Sequence, residues 1–449
     1  MADLKTTEPL IPAFQFGEPN QSVHIADDAA CIKDSKGTIL FSGNAEVILD
    51  LLPRPGIHVR VVNQSEFGCG LNDCAVLELA DRKCRIEGLA STVNSSTSHR
   101  MSVVWCPRAE PIIGMGADNT EMFRVVFHLF NFKEIIGSSR SIGQHGTAPY
   151  GIEHVNLKTE NWAVELQSLP ESPEHFKKLK NEGGYAVTHI GGFTRKDGIC
   201  FSGKEAAQML YLLRFFFSFA KGAWCEPVCA VGFDTSGNRV WESWLSPREP
   251  FCSPPSWFDQ QNCRQVEELF PAFMSRWSDE HWRDAFHEVI YWYLNANDSS
   301  RGLDIGIILT QTALERLSFE YAVKDRLLIE TAGFKDLRAS DKLRLLLSSL
   351  DIPIGITGST PELAKLAKER NWLDAPQAMT EVRNALVHPE HKNRGYSTSI
   401  LHDAWNLGLW YLELALLRLC GYSGTYCNRL SARWVGQVED VPWVKKTKD

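Results

Sequence analysis

The chain has 449 residues, of which 44% are hydrophobic and 23% are charged, a composition typical of a globular protein with two or three domains. Its formal net charge of −8 excludes a protein-wide basic field, so contact with nucleic acid would require a local basic site. No apolar run approaches the roughly 18 residues of a membrane span, and the polar start, Met1 to Pro9, lacks the pattern of a secretory signal. We therefore expect a cytoplasmic protein that does not contact a membrane.

The twelve cysteines are scattered, with no C-x-x-C pair and no spacing typical of zinc ligands. Without a secretion signal, such cysteines indicate a reducing compartment. We expect neither a metal nor another cofactor.

Residues 1–200 are predicted to form a strand-rich N-terminal domain. Short segments such as 57–62 and 123–129 alternate apolar and polar residues, and turn-forming residues such as those at 53–56 separate them. Many short strands at this spacing favour an antiparallel sandwich or a barrel-like fold. One helix interrupts them, with Ser172 predicted as its N-cap and Gly183 near its end.

Residues 201–265 are predicted to be a helix plus β-hairpin unit and a linker, belonging to the same N-terminal region. The Ser202-Gly203-Lys204-Glu205 capping box opens a helix that ends at Gly222. A hairpin with strands at 227–233 and 239–245 follows, and the Pro- and Ser-rich segment 248–262 is predicted as the linker.

Residues 266–430 are predicted to be a helical domain, so the whole chain is assigned to the α+β class, and residues 431–449 to a charged tail. Ser278 is predicted to cap a helix whose apolar residues recur at helical spacing. Further helices are predicted at about 303–323, from Ser340 to Leu350, from Thr360 onward, at 376–387 and at 399–419.

The most informative segment is Arg383-Asn384-Ala385-Leu386-Val387-His388, which Pro389 follows. In a helix, Asn384 and His388 share a face, with Arg383 about 100° away from Asn384. Pro389 cannot continue the helix and disfavours helical geometry at His388. An arginine that holds phosphate and a histidine that titrates near neutrality are the groups that metal-free RNA cleavage requires.

The run resembles the R-N-x-x-x-H form of the motif found in the HEPN superfamily, whose members are small helical bundles and often ribonucleases. The helical segment with Ala313-Leu314-Glu315-Arg316-Leu317 is similar to a helix of the ApeA-like branch. That branch pairs a long strand-rich N-terminal region with a C-terminal HEPN domain, in the order predicted here.

This resemblance implies a metal-independent endoribonuclease in which the RNA 2′-hydroxyl attacks the adjacent phosphate. His388 would act as general acid and base, Arg383 would hold the phosphate, and Asn384 would orient one of them. The resemblance also implies a role in antiviral defence by abortive infection, with RNA, tRNA among the candidates, as substrate. The N-terminal region would be the sensor of a phage-derived trigger or regulatory partner.

Two further expectations concern the surroundings of the motif. His391, Lys392 and Arg394 form a basic loop that would bind RNA, although a solvated loop is an equally good interpretation of each. Glu315 is a candidate for orienting Arg383, against the commoner role of a solvent-facing acid. Because HEPN nucleases need two facing motifs and this chain has one, the resemblance implies a homodimer with a composite active site.

Two other functions remain open from the residues. One is a HEPN bundle without catalysis that serves as an RNA- or protein-binding sensor module. The other is a metal-dependent hydrolase using Asp27, Asp28, His145 or His154, although no ligand spacing supports it.

Overall fold

The computed structural model describes residues 9–63, 75–95, 101–137, 139–145, 148–388, 395–431 and 434–444. The chain folds into two compact units, one made of Met1–Arg214 with Cys225–Cys252 and the other of Phe215–Trp224 with Ser253–Asp449. The first unit is rich in strands and the second in helices, which confirms the α+β prediction.

Six strands of the first unit close into an antiparallel barrel in the order β1-β2-β3-β6-β5-β4. They are β1 (Val23–Lys33), β2 (Ile39–Asp50), β3 (Gly56–Asn63), β4 (Ala75–Leu79), β5 (Cys84–Ser95) and β6 (Met101–Pro107). Strand β3 shows the alternation that predicted it, because Ile57, Val59 and Val61 are buried in the core.

Of the two folds predicted for this region, a sandwich or a barrel-like fold, strands β1 to β6 form the barrel. Strand β1 pairs with β2 on one side and with β4 on the other, where Ala30 lies opposite Leu79. This second pairing leaves no free edge among the six strands, and closure satisfies their backbone hydrogen bonds without a second facing sheet.

The remaining long strands form an eight-stranded antiparallel sheet in the order β10-β11-β12-β13-β9-β15-β16-β7. These strands are β7 (Ile112–Met115), β9 (Arg124–Phe130), β10 (Ser139–His145), β11 (Ala148–Lys158), β12 (Trp162–Ser168), β13 (Val187–Arg195), β15 (Pro227–Phe233) and β16 (Arg239–Trp244). Two short strands, β8 (Glu121–Met122) and β14 (Phe201–Ser202), pair with each other.

The two helices α1 (Ser172–Glu182) and α2 (Gly203–Lys221) start as the local sequence predicts, with one correction. The capping box is formed, since Ser202 N–H donates to Glu205 Oε2 at 2.9 Å. Ser172, predicted as the N-cap of α1, is instead its first residue, and its hydroxyl accepts from Leu169 N–H at 3.1 Å. The predicted hairpin is also present, but β15 and β16 are strands of the large sheet.

Two buried histidines of the sheet are held neutral. His128 accepts at Nε2 from Ala13 N–H (3.2 Å), and its Nδ1 donates to the carbonyls of Val228 and Cys229 at 3.3 and 3.2 Å. Burial lowers the pKa of His128 from 6.5 to about 4 and that of His189 to about 3. A second proton on His128 would remove its acceptor for Ala13.

The free energy of unfolding of the strand-rich unit is therefore expected to fall as the pH is lowered from 6.5 towards 5. In that window the unfolded imidazoles bind protons while the folded ones do not, which adds up to about 1.4 kcal/mol per pH unit for each histidine. The slope from these two groups is about half of its maximum at pH 6.5 and vanishes above about pH 7.5. Urea unfolding at pH 7.5, 6.5, 5.8 and 5.0 measures the effect.

The variant His128→Gln should lose about half of this slope, because it removes one of the two histidines. The matched variant His24→Gln changes a half-exposed side chain of the barrel and should keep the full slope. A flat stability profile of the wild-type protein from pH 6.5 to 5.0 would contradict the assignment.

The second unit contains eight helices beyond α2 in the part of the chain that is described. They are α3 (Arg264–Ser278), α4 (Glu280–Asn297), α5 (Leu303–Phe319), α6 (Thr331–Asp336), α7 (Ala339–Ser349), α8 (Pro361–Arg370), α9 (Ala375–Val387) and α10 (Thr398–Leu419). A 3-10 turn covers Ser299–Arg301, and two short strands, β17 (Thr425–Tyr426) and β18 (Glu439–Asp440), follow α10. Helix α5 lies at the centre and packs against α4, α7, α9 and α10.

Two helix predictions in this unit are wrong in detail. Ser278 is the last residue of α3 and not a cap, and Asp279 caps α4 by accepting from His281 N–H at 3.0 Å. The helix predicted at 303–323 changes at Glu320 into a π-helix, Glu320–Asp325.

No helix in the described ranges is long and apolar enough to cross a membrane.

A buried ion pair holds the C-terminal segment against this helical unit. The side chains of Arg429 and Glu413 are 1% and 0% exposed, and Arg429 donates to both carboxylate oxygens, at 2.5 and 3.1 Å. Tyr293 donates to Glu413 at 2.6 Å, and burial together with this carboxylate raises the pKa of Tyr293. Asn297 Oδ1 accepts from Arg429 at 3.1 Å, which completes the pairing of the guanidinium group.

Candidate active site

Helix α9 carries the R-N-x-x-x-H run. Asp374 fixes the start of this helix through two sets of hydrogen bonds. Asp374 caps it by accepting from Gln377 N–H at 3.0 Å, and Pro376 lies in the first turn. Arg344 of α7 donates to both oxygens of Asp374, at 2.6 and 3.0 Å. The bidentate pair ties the start of α9 to α7.

The buried face of α9 orients the motif. Met379 and Val382 are 2% and 0% exposed, and α9 packs against α5, α7 and α10. A Cβ atom at Gly408 of α10 would lie 2.7 Å from Thr310 Oγ1 and 3.2 Å from Met379 Cε. Glycine therefore allows α10 to approach α5 and α9 closely, while the last turn of α9 stays half-buried and His388 after it is exposed.

The helix ends where the proline predicts. Its last residue is Val387, and His388 is extended, with φ −103° and ψ 121°. The imidazole side chain is exposed, while the backbone N–H of His388 donates to the carbonyl of Asn384 at 2.9 Å. The residue before a proline avoids helical geometry, which accounts for the break.

Asn384 joins the two other residues of the motif. Its side-chain Oδ1 accepts from Arg383 Nη1 at 3.3 Å, and its main-chain carbonyl accepts from His388. The Nε atom of Arg383 is buried and has no hydrogen-bond partner among the described residues. Arg383, Asn384 and His388 thus lie close together at the end of α9. The Nε donor of Arg383 has no partner among the described residues.

Of the four residues predicted to surround the motif, Glu315 alone lies in the described part of the chain. Glu315 is half-buried and accepts from Gln311 of its own helix at 3.0 Å, so its recorded partner is not Arg383. The basic-loop residues His391, Lys392 and Arg394 lie outside the described residues, as does Pro389.

The residues of the metal hypothesis are placed in separate local structures. Asp27 is 80% exposed, whereas the Asp28 side chain is fully buried, because adjacent residues of β1 point in opposite directions. His154 pairs with Glu165 of the neighbouring strand at 2.7 Å, and the side chain of His145 lies outside the described part. No group of three or more potential metal ligands occurs among the residues described.

Sequence reasoning missed one set of functional candidates, the arginines Arg276, Arg326 and Arg418. They line one cavity although they are 50 or more positions apart in sequence. No local pattern marks them, since each lies in the ordinary last turn of a helix or just after one.

Comparison with known proteins bears on both units. Residues 117–257 match the YopA central domain, and residues 279–440 match the YopA C-terminal domain. A Bacillus subtilis (strain 168) protein described as SPbeta prophage-derived uncharacterized protein YopA is 32% identical over 337 residues, 74% of each chain. The chain belongs to the YopA family.

The YopA matches cover most of the elements described above. The C-terminal domain match contains helices α4 to α10 and therefore the whole R-N-x-x-x-H run. The central domain match contains strands β8 to β16, while the barrel precedes both matched YopA domains. No solved structure matches the chain.

Proposed function

We propose that this member of the YopA family is a metal-independent endoribonuclease of HEPN type. The observation that carries the proposal is the end of α9, where Arg383 contacts Asn384 and an exposed His388 follows one turn later. The order of residues, the proline-terminated helix and the surrounding helical bundle all suit that assignment.

The proposed cleavage of RNA requires only protein side chains and no metal ion. The base, His388, takes the proton of the 2′-hydroxyl and O2′ bonds to phosphorus. The P–O5′ bond then breaks as the protonated His388 gives this proton to O5′. The products are a 2′,3′-cyclic phosphate and a 5′-hydroxyl end. Arg383 binds the equatorial phosphate oxygens, where the developing charge is largest.

The half-buried position of Arg383 and its contact with Asn384 support this role. Asn384 fixes the guanidinium group through Nη1, so that the remaining donors stay oriented.

The composite site of HEPN nucleases leads us to propose a homodimer in which two copies of α9 face each other. Each chain contributes one Arg383–His388 run. Pairing two copies would also double the local positive charge on a chain of net charge −8. Sedimentation of the purified protein tests this part, and a monomer that cleaves RNA would contradict it.

The biological role that we propose is abortive infection, in which RNA cleavage halts growth of an infected cell. The strand-rich unit would sense a phage-derived trigger or regulatory partner. The prophage origin in the description of the Bacillus relative is compatible with such a conflict between phage and host.

Sequencing of RNA ends from expressing cells tests the activity and identifies the substrate together. Cells that express the wild-type chain should accumulate new 5′-hydroxyl ends at defined sites, in tRNA or another RNA, and cells that express Arg383→Ala should not. Arg370→Ala is the matched control, because Arg370 is an exposed arginine at the end of α8 and should leave the ends unchanged.

Two outcomes would contradict the proposal. The first is the same pattern of ends in wild-type and Arg383→Ala cells. The second is RNA binding without cleavage that Arg383→Ala abolishes and His388→Ala preserves, which would identify a non-catalytic binding module instead.

A further inference from the structure

A cavity of about 830 Å³ lies at the C-terminal end of α10, lined by three arginines from separate segments of the helical unit. Arg276 comes from the last turn of α3, Arg326 follows the π-helix, and Arg418 lies in the last turn of α10. We propose that this cavity binds a small phosphorylated ligand of nucleotide size.

The three guanidinium groups keep donors that the described protein does not use. Arg276 donates through Nε to the Leu419 carbonyl at 2.8 Å, and Arg418 donates through Nη2 to Asp351 at 2.8 Å. Arg326 has a looser ion pair, 3.6 Å, with its neighbour Asp325, and its guanidinium lies over the ring of Tyr321 at 5.7 Å from the centroid. The Nη1 and Nη2 atoms of Arg276 and Arg326, and Nη1 of Arg418, have no recorded partner among the described residues.

Several acceptors around the cavity are already engaged. The one carboxylate in its lining, Asp279, accepts from His281 N–H at 3.0 Å as the cap of α4. The last carbonyls of α10 accept from the chain that follows, Leu416 from Cys420 at 3.2 Å and Leu417 from Tyr422 at 3.0 Å. The same capping screens the negative end of the helix dipole. Three guanidinium groups against one carboxylate give the lining a net positive charge, which favours an anionic ligand.

The lining indicates which anion. Guanidinium forks match the geometry of phosphate oxygens, and three of them from three segments can surround one phosphoryl group. The serines Ser275, Ser278 and Ser349 add hydroxyl groups to the wall. The volume is in the range of small-molecule sites and exceeds what inorganic phosphate alone would fill.

This cavity is separate from the proposed ribonuclease site and does not depend on it. Helix α10 has 22 residues and spans roughly 33 Å at 1.5 Å per residue. The cavity lies at the end of α10, and no residue of α9 is part of its lining. Loss of one activity would therefore leave the other measurable.

Isothermal titration calorimetry of the full chain tests the proposal with AMP, pyrophosphate, adenosine and a single-stranded oligonucleotide as probes. AMP or pyrophosphate should bind with a Kd below about 1 mM, and adenosine should bind at least about tenfold more weakly. Arg326→Gln should weaken AMP or pyrophosphate binding about tenfold or more without affecting folding, since the Arg326 side chain is 58% exposed.

Arg301→Gln is the matched control, because Arg301 is 48% exposed and likewise pairs with an aspartate close in sequence. It should bind as the wild type does. The proposal is overturned if neither phosphorylated probe binds at 5 mM, if Arg326→Gln binds like wild type, or if adenosine binds as well as AMP. Binding of the oligonucleotide alone would also overturn it, since the ligand would then be RNA.

Discussion

Replacement of His388 by alanine is expected to lower the rate of RNA cleavage by a factor on the order of 10²–10⁴, the usual contribution of a positioned general acid or base. Since the side chain is exposed at the end of α9, its removal should leave the free energy of unfolding nearly unchanged. The measurement is the rate at which purified full-length protein cleaves labelled single-stranded RNA in the presence of EDTA.

The control is His24→Ala, which removes another exposed imidazole, located in the barrel. Its cleavage rate should equal that of the wild type. If His388→Ala protein cleaved RNA at the wild-type rate, His388 would not be the acid or base. If EDTA abolished the wild-type activity, the metal-independent mechanism would be wrong.

The second large effect concerns stability, at the buried pair of Arg429 and Glu413. Arg429→Met should lower the free energy of unfolding of the helical unit by about 3–5 kcal/mol, because it leaves a fully buried carboxylate without its cation. Urea unfolding followed by far-ultraviolet circular dichroism measures this loss. The Tyr293 hydroxyl would remain as a donor to Glu413, but a single neutral hydrogen bond cannot replace the charge.

Two further variants separate the ion pair from simple loss of contacts. The double variant Arg429→Met/Glu413→Leu should recover much of the lost stability, since no unpaired charge stays buried. Arg418→Met removes an ion pair in which the Asp351 side chain is 66% exposed, and should cost less than about 1 kcal/mol. A loss in Arg429→Met as small as that in Arg418→Met would show that the buried pair contributes little.

Local signals predicted strand β3 and the helix that carries the motif. The alternation of Ile57, Val59 and Val61 predicted β3, since a strand places every second residue on the same side. Pro376 near the start of α9 and Pro389 after its end predicted that helix to within one residue, because each proline restricts only its immediate neighbours. Where two short-range signals compete, prediction fails: Ser278 and Asp279 are both good caps, but α3 continues through Ser278 and Asp279 caps α4.

The partners of individual side chains were not predictable in this way. Glu315 has a partner within its own helix, four residues before it, although its spacing on α5 also allowed it to face α9. Arg344 and Asp374 are 30 residues apart, and Arg276 and Arg418 meet at one cavity from helices at opposite ends of the helical unit's sequence. Such pairings depend on which helix faces pack together, and many packings satisfy the same hydrophobic pattern.

The sequence by itself therefore determined the α+β class, the helix that bears Arg383, Asn384 and His388, and the position of the histidine at the end of that helix. These follow from periodicity and from proline, which act over a few residues. Only the tertiary structure decided that the first six strands close into a barrel, that Asn384 contacts Arg383 while Glu315 turns to Gln311, and that three arginines surround one cavity. Those features depend on burial and on contacts between distant parts of the chain. Which residues meet there depends on how whole helices and strands pack together.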